Sequence, residues 1–428
     1  MTPCEALKAI DGLDKFGIVL GLERTSACLE ALGAPHRRYP TVHVGGTNGK
    51  GSTSALLAAA FSAAGYRTGL YTSPPLEFFG ERIQVDGRPL PEDEVPALLE
   101  AVLAVERARP GAQGLTQFEV ITAMAFLHFA RAGVDVAVVE VGLGGRLDAT
   151  NVIAPEVAVI TNVGLEHADH LGPTVARVAR EKGGIVKPGA PLVTCAEGEA
   201  LEVLREVAEG VGAPVYEWGR DFTAVREASG GVRFRGRRWD LPGLGLALLG
   251  DHQRFNLGAA LAALEVLEEK GWRLPEAAVR RGVAHARWPG RLEVLGTGPR
   301  VVLDGAHNPH ASRVLARALR DDLAYDRLRL VLGILGDKDA RSIVADLAPL
   351  AHEVVVTRSG SARALDLPEI EALVRCAGAQ RVEVSPSVAT AVDRCLERAG
   401  PGDLVCVTGS LTTVGEARSH LRRLRWVP

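Results

Sequence analysis

With 428 residues, 47% of them hydrophobic, the chain can bury a large core and exceeds the usual size of one domain, so two domains are expected. The formal charge of −3 is small, and Lys and Arg are spread along the chain instead of gathering in runs, which argues against nucleic-acid and membrane-surface partners. No uninterrupted apolar run reaches bilayer length, Met1–Glu5 carries no leader pattern, and the six cysteines show no metal-ligand spacing, so a cytoplasmic protein with free thiols is expected.

In chain order, short β-rich runs alternate with helical stretches. The first strands expected are Thr41–Val44, Arg67–Tyr71, Val134–Val141, Val157–Thr161 and Pro191–Thr194. Several are apolar at consecutive positions, as strands of a doubly covered parallel sheet must be. Residues 215–249 change character: short segments rich in Arg, Gly and aromatics, such as Val232–Gly236, read as hairpin material on a sheet edge, without a helix. His252–Gly271 returns to helical periodicity. After Trp288-Pro289-Gly290-Arg291 a second strand series begins, at Arg300–Leu303, Leu328–Leu332, Glu353–Thr357 and Leu404–Thr408. The class is therefore α/β: a large N-terminal P-loop-type domain with a mostly parallel sheet over residues 1–290, then a smaller Rossmann-like domain over 298–428.

Gly45-Gly46-Thr47-Asn48-Gly49-Lys50-Gly51-Ser52 lies between the first strand and an Ala/Leu-rich helix. In that setting glycines let backbone N–H groups approach phosphate, and the helix N-terminus adds partial positive charge. Lys50 can neutralise a terminal phosphate, and the Ser52 hydroxyl can ligate Mg²⁺. Gly51 separates Lys50 from Ser52, so the strict Walker pattern fails; the competing reading is a glycine-rich turn that binds nothing. The second glycine cluster, Gly142–Asp148, is no dinucleotide fingerprint, because Leu147 occupies the third glycine position. Glu140 is a carboxylate at the end of an apolar strand, and its charge calls for a partner. Either Mg²⁺ shared with Ser52 or a salt bridge to Arg146 or another base supplies one. His167 and Lys182 follow further strand and helix ends. Taken alone, a single His reads as a structural group and a single Lys as a solvated one.

The ordered series is more informative. His43–Ser52 is followed by Thr72-Ser73-Pro74, Glu81-Arg82-Ile83, Leu115–Glu119, Glu140–Asn151 and Glu181–Ile185. His252-Gln253, Asn256, Pro289-Gly290-Arg291, Asp304–Pro309, Asp337-Lys338-Asp339 and Gly409-Ser410 then complete it. This resembles the folylpolyglutamate synthase and dihydrofolate synthase family, a branch of the Mur-ligase superfamily, over nearly the whole chain. The resemblance implies Ser52, Ser73, Glu140, His167 and Lys182 as magnesium ligands at two sites, the last through carboxylation of its amine. It implies Thr47, Asn48, Gly49, Lys50, Gly51 and Ser52 around the ATP phosphates, with Asn256, Arg291, Asp304 and His307 as further ATP contacts. Lys50, His167 and Lys182 become the candidate catalytic set. On the substrate side it points to Glu23, Arg24, Thr116, Phe118, Glu119, Arg146 and Asp148 for the pterin-bearing substrate, and to His307 and Ser410 for the nucleotide or the incoming glutamate. Three positions depart from the family pattern: Pro75 stands where many relatives have His, Glu166 where many have Asp, and Leu411 where an aromatic is common.

The activity so implied is ATP- and Mg²⁺-dependent addition of L-glutamate to dihydropteroate or a reduced folate through an acyl phosphate. The bifunctional form is preferred over a folylpolyglutamate synthase alone. A peptidoglycan-precursor ligase of the same superfamily and a nucleotide-binding regulator without ligase activity are the competing readings. A monomer is expected, because one chain carries both sets of motifs.

Overall fold

A computed structural model describes residues 1–427 apart from 14–16, 18, 110–113 and 166–170, and it divides into two compact units. The first comprises Met1–Ala247 and Gln253–Arg287, and the second comprises Leu248–His252 and Trp288–Pro428. The segment Leu248–His252 lies inside the stretch assigned above to the larger domain, yet it clusters with the C-terminal unit.

The first unit opens with helices α1 (Pro3–Asp11) and α2 (Glu23–Ala31), then strand β1 (Thr41–Gly45), helix α3 (Lys50–Ala63) and strand β2 (Thr68–Tyr71). Two short strands, β3 (Ile83–Val85) and β4 (Arg88–Pro89), lead to α4 (Val95–Ala108) and α5 (Gln117–Ala132). The series continues through β5 (Val136–Glu140), β6 (Val157–Ile160), α6 (Val175–Gly183), β7 (Leu192–Thr194), α7 (Gly198–Gly210) and β8 (Val215–Glu217). These strands form one sheet in the order β4-β3-β2-β5-β1-β6-β7-β8, parallel except at the β3 and β4 edge. The α5 start is fixed by a capping box, in which Thr116 Oγ1 accepts the Glu119 amide while the Glu119 carboxylate accepts the Thr116 amide.

Alternate residues of β5 face opposite sides: Ala137 and Val139 join the core made with α4 and α5, while α3 packs on the other face. The connection from β1 crosses β5 to reach β2, and the one from β5 crosses β1 to reach β6. The chain thus departs in opposite directions from β1 and from its neighbours, which opens a crevice at the carboxyl ends of β2, β5, β1 and β6.

Within the Arg- and aromatic-rich stretch only β8 lies on the edge of this sheet, as expected; the segment 223–244 does not. It forms a separate three-stranded antiparallel sheet of β9 (Thr223–Arg226), β10 (Val232–Arg235) and β11 (Asp240–Leu244), with β10 in the centre. The reason is packing: Ala224, Val232, Phe234 and Leu241 are buried and β9 and β10 lie on the next helix, α8 (Gln253–Glu269), so the stretch caps a helix instead of extending β8. Buried Glu265 of α8 fastens the β10–β11 turn by accepting the amides of Arg237, Arg238 and Trp239 at 3.1, 2.7 and 2.5 Å. Helix α9 (Glu276–His285) completes the unit and packs on α3.

The second unit has its own core and a six-stranded sheet. Its elements are β12 (Glu293–Leu295), β13 (Arg300–Leu303), α10 (Pro309–Asp321), β14 (Leu328–Leu332), α11 (Ala340–Leu347) and β15 (Glu353–Val356). Then come α12 (Leu367–Cys376), β16 (Val382–Val384), α13 (Val388–Arg398), β17 (Leu404–Thr408) and α14 (Leu411–Arg423). The order is β12-β13-β17-β14-β15-β16, all parallel but β12. Helices α10, α11 and α12 line one face, and α13 with α14 the other, the doubly wound arrangement expected from the alternation of elements. Among the described residues, no helix is long and apolar enough to cross a membrane.

Candidate functional site

Four neighbouring strand ends carry the phosphate loop and its supports. The register pairs Val44 with Glu140 and Gly45 with Ile160, so the loop leaves β1 flanked by the ends of β5 and β6. Gly46 has φ +138°, and a Cβ there would lie 1.9 Å from Thr161 Oγ1, so only glycine fits at this turn. Gly49 has φ +86° and abuts Asn256, whose Oδ1 would be 2.2 Å from an added Cβ. The loop is pinned from β6: Asn162 Oδ1 accepts the Asn48 amide at 3.0 Å, Thr161 Oγ1 donates to the Asn48 carbonyl at 2.6 Å, and Thr47 exchanges bonds with Gly164. From α8, Gln253 Nε2 donates to Ser52 Oγ at 3.4 Å, and Asn256 Nδ2 donates to Gln253 Oε1 at 2.7 Å.

Two lysines converge on this loop. Lys50 Nζ donates to the carbonyls of Gly46 and Thr47 at 3.0 and 3.1 Å, and buried Lys182 Nζ donates to the same Gly46 carbonyl at 2.8 Å. Two ammonium groups on one carbonyl oxygen make a site of concentrated positive charge at a helix N-terminus, where polyanions bind.

Glu140 is buried and accepts the Ser73 amide at 3.1 Å. Arg146, one of the alternative partners, pairs with Glu181 at 2.9 Å. Ser52 in the first turn of α3, and Ser73 and Glu140 at neighbouring strand ends, offer hydroxyl and carboxylate oxygens, the donor chemistry a hard divalent cation takes. Among the described residues, no three His, Cys, Asp or Glu side chains gather as a metal cluster. His167, with Glu166 beside it, lies outside the described residues.

The expected substrate residues divide into two groups. Arg24 pairs with buried Glu119 at 2.9 Å and donates to the Val19 carbonyl, while Glu23 opens α2. Thr116 and Glu119 are committed to the capping box. Phe118 lies across the loop that leaves β5, since a Cβ at Gly142 would meet its Cζ at 2.4 Å, and its ring centroid is 6.2 Å from that of Tyr71. Asp148 points inward. Its Oδ1 takes the Thr150 amide and hydroxyl at 3.0 and 2.5 Å, and its Oδ2 takes the Leu143 amide at 2.8 Å. Burial raises the Asp148 carboxyl above the ordinary range, against the opposing pull of the Thr150 hydrogen bond.

Behind this loop His43 is completely buried with Nε2 2.9 Å from Thr150 Oγ1, and burial pushes its imidazole down to about 3. An ordinary His titrates near 6.5, so between those values the unfolded chain binds a proton that the folded chain refuses. Stability contributed by neutral His43 is therefore complete above pH 6.5 and falls by up to about 1.4 kcal/mol per unit as pH drops below it. Urea midpoints measured between pH 7 and 5 are expected to fall less steeply in His43→Gln than in the parent.

In the second unit the expected residues gather at the carboxyl ends of β13 and β17. Asp304 Oδ2 accepts the Leu292 amide at 2.8 Å and its Oδ1 the Ala306 amide at 2.9 Å, so the carboxylate organises two loops. Burial raises its pKa, and the nearby Arg291 works against that rise. His307 Nδ1 donates to the Gly305 carbonyl at 2.8 Å. Ser410 caps α14 by accepting the Thr413 amide at 3.1 Å, and its hydroxyl also bonds Thr412 and Thr413. Arg291 reaches the same loop, because its Nη1 would lie 2.7 Å from a Cβ at Gly305.

Residues to which the sequence reading gave no role are Thr161 and Asn162, which hold the loop from β6, and Gln253, which stood in the motif series and reaches Ser52. Their signal was positional: the first two follow the strand beside β1, and Gln253 is three residues before Asn256 on one helix face.

Comparison with known proteins finds the Mur ligase middle domain over residues 44–264 and the Mur ligase, glutamate ligase domain over residues 290–411. A Haloferax volcanii protein named probable bifunctional folylpolyglutamate synthase/dihydropteroate synthase is 40% identical across 98% of this chain, which spans only 50% of that relative. The Mycobacterium tuberculosis dihydrofolate synthase/folylpolyglutamate synthase is 39% identical over 94% of this chain and 90% of its own length. The solved structure of E. coli FolC in complex with DHPP and ADP matches at TM-score 0.90 and 33% identity, covering 98% of both chains.

Proposed function

The chain belongs to the folylpolyglutamate synthase/dihydrofolate synthase family of Mur ligases, and we propose from that premise that it joins L-glutamate to a folate-type carboxylate at the expense of ATP. The observation that carries the reading is the phosphate loop itself, with Lys50 and Lys182 on one carbonyl and Glu140 and Ser73 at the adjoining strand ends. Nucleotide and divalent-metal binding at this loop are supported by its chemistry, by a relative solved with ADP and by a Yersinia pestis relative solved with AMPPNP and a manganese ion.

In this reading the substrate carboxylate attacks the γ-phosphorus, forming a C–O–P bond as the bond to the β-phosphate oxygen breaks and ADP leaves. The amine of glutamate then adds to the acyl carbon, the phosphate departs with the C–O bonding electrons, and the amine gives up a proton. Lys50 and the backbone amides of 46–52 neutralise and orient the phosphates; little else is asked of a protein group, because phosphoryl transfer depends on positioning and charge stabilisation. Asn48, Asn162 and Thr161 keep those amides in place. Ser52, Ser73 and Glu140 would hold Mg²⁺, which when bound offsets the charge that develops on the phosphates. Phe118, half-buried and backed by the buried Tyr71 ring, offers an aromatic face to the flat pterin-bearing substrate, and Arg24 a cation beside it. Arg291, Asp304, His307 and Ser410 are assigned to the nucleotide and glutamate side. Carboxylation of Lys182 and a second Mg²⁺ belong to this reading too; the carbamate would exchange the Lys182 ammonium for anionic oxygen ligands and leave Lys50 as the cation on the Gly46 carbonyl.

Both dihydropteroate and reduced folates are the proposed acceptors. Purified protein given ATP, Mg²⁺ and glutamate is expected to release ADP only when one of them is added, with a product heavier by one glutamyl residue. ADP release driven by a nucleotide-sugar peptide precursor instead, or release with no ligated product, would overturn the assignment.

A further inference from the structure

Between the strand that feeds the phosphate loop and the loop that leaves β5 runs a buried hydrogen-bond chain that the reaction above does not use. Thr150 Oγ1 sits between His43 Nε2 at 2.9 Å and Asp148 Oδ1 at 2.5 Å. A carboxylate only accepts, so the hydroxyl proton goes to Asp148, and the neutral imidazole donates its Nε2–H into the hydroxyl. Asp148 in turn holds the Leu143 amide. The next residue, Asn151, donates from Nδ2 to the carbonyls of Arg146 and Gly184 at 2.9 and 3.0 Å, and its own carbonyl accepts Lys187 Nζ at 3.0 Å. One 3-10 turn, Ala149–Val152, therefore grips β1, the loop 142–148 and the end of α6 just beyond Lys182.

Two features argue that this turn does more than fill space. His43 Nδ1 and Asn151 Oδ1 are buried without a hydrogen-bond partner among the described residues, a penalty that apolar side chains would avoid. The segments it joins also cannot slide past one another: a Cβ at Gly145 would lie 2.7 Å from the Glu181 carbonyl oxygen, and one at Gly184 would lie 2.4 Å from Arg146 Cβ.

We propose that Thr150, flanked by His43 and Asn151, is a positioning hub that transmits the state of loop 142–148 to the phosphate loop, so that carboxylate substrate and nucleotide bind with mutual coupling. This rests on the reading that those two loops border the two substrates. Nothing in the hub touches a reacting atom. Its effect is to fix β1, and hence Gly45 and Gly46, relative to the residues that follow Glu140.

The test is calorimetric titration of the full chain with a non-hydrolysable ATP analogue and Mg²⁺, with and without dihydropteroate. The parent protein is expected to bind the analogue about 10-fold more tightly when dihydropteroate is present. Thr150→Val, which keeps the shape and removes the hydroxyl, should bring that ratio near unity and raise KM for the carboxylate substrate more than it lowers kcat. Thr150→Ser should restore both. His43→Leu removes the same chain from the strand side and serves if Thr150→Val does not fold; a purely structural role would lower melting temperature in either variant and leave the ratio intact. An undiminished ratio in a folded variant overturns the hub. A parent that binds both ligands without coupling overturns the hub and leaves the ligase reading standing, whereas a parent that binds neither overturns both.

Discussion

Lys50→Ala is expected to lower glutamate-dependent ADP release by on the order of 10³-fold while the protein stays folded. The structural part of the expectation is modest. Lys50 is only partly buried and donates to two loop carbonyls, at 3.0 and 3.1 Å, so its loss costs roughly 1–3 kcal/mol at a surface turn. The catalytic part is large, because the ammonium is the group on this helix N-terminus that can follow charge as it builds on the transferring phosphate. Arginine should not substitute: its planar fork is longer, and the carbonyls of Gly46 and Thr47 are spaced for a point charge. Circular dichroism and a coupled ADP assay separate the two parts. Activity within about tenfold of the parent would mean that Lys50 is not on the phosphates, and the ligase mechanism as drawn would fail.

How much of this was legible in the chain depends on how local each feature is. The phosphate loop was readable because strand, glycines, lysine and helix start lie within about a dozen residues, and each strand start or end moved by at most two positions from its expected place. Glu140 was readable as a buried carboxylate in need of a partner, but the choice between cation and Arg146 was not. Arg146 is taken by Glu181, 35 residues away, a pairing that no local pattern announces. Asp148 read as a substrate contact, yet its carboxylate turns into its own loop to meet Thr150, which is itself held by His43, 107 residues earlier. Thr161 and Asn162 acquire their role only because β6 pairs with β1. The hairpin at 223–244 was recognisable as β structure, but its docking on α8 depends on Glu265 meeting three backbone amides, a contact with no periodicity to betray it.

The other large effect concerns the second unit and leaves chemistry aside. Arg329, the second residue of β14, is buried between Glu353 at the start of β15 and Asp403 just ahead of β17, with Nη1 at 2.5 Å and Nη2 at 3.3 Å from their carboxylates. Its Nη2 also donates to the Arg398 carbonyl at 2.7 Å, and the network extends outward as Arg398 bridges Glu353 and Glu383. Arg329→Leu would leave buried Asp403 without its cation and buried Glu353 with Arg398 alone, a change that costs about 3–5 kcal/mol. A fall of roughly 10 °C in the thermal midpoint is expected. Because Arg329 lies at the amino end of its strand and Asp304, His307 and Ser410 follow the carboxyl ends of β13 and β17, the damage should stop short of the site. Nucleotide affinity at 25 °C should change less than twofold in the fraction that remains folded. Replacing Arg329, Glu353 and Asp403 together by apolar residues of similar volume should recover much of the lost stability, since the penalty comes from stranding charges and not from losing a favourable bridge. If the triple replacement melts as low as Arg329→Leu, the ion pairs themselves hold the strand bases together, and the accounting reverses.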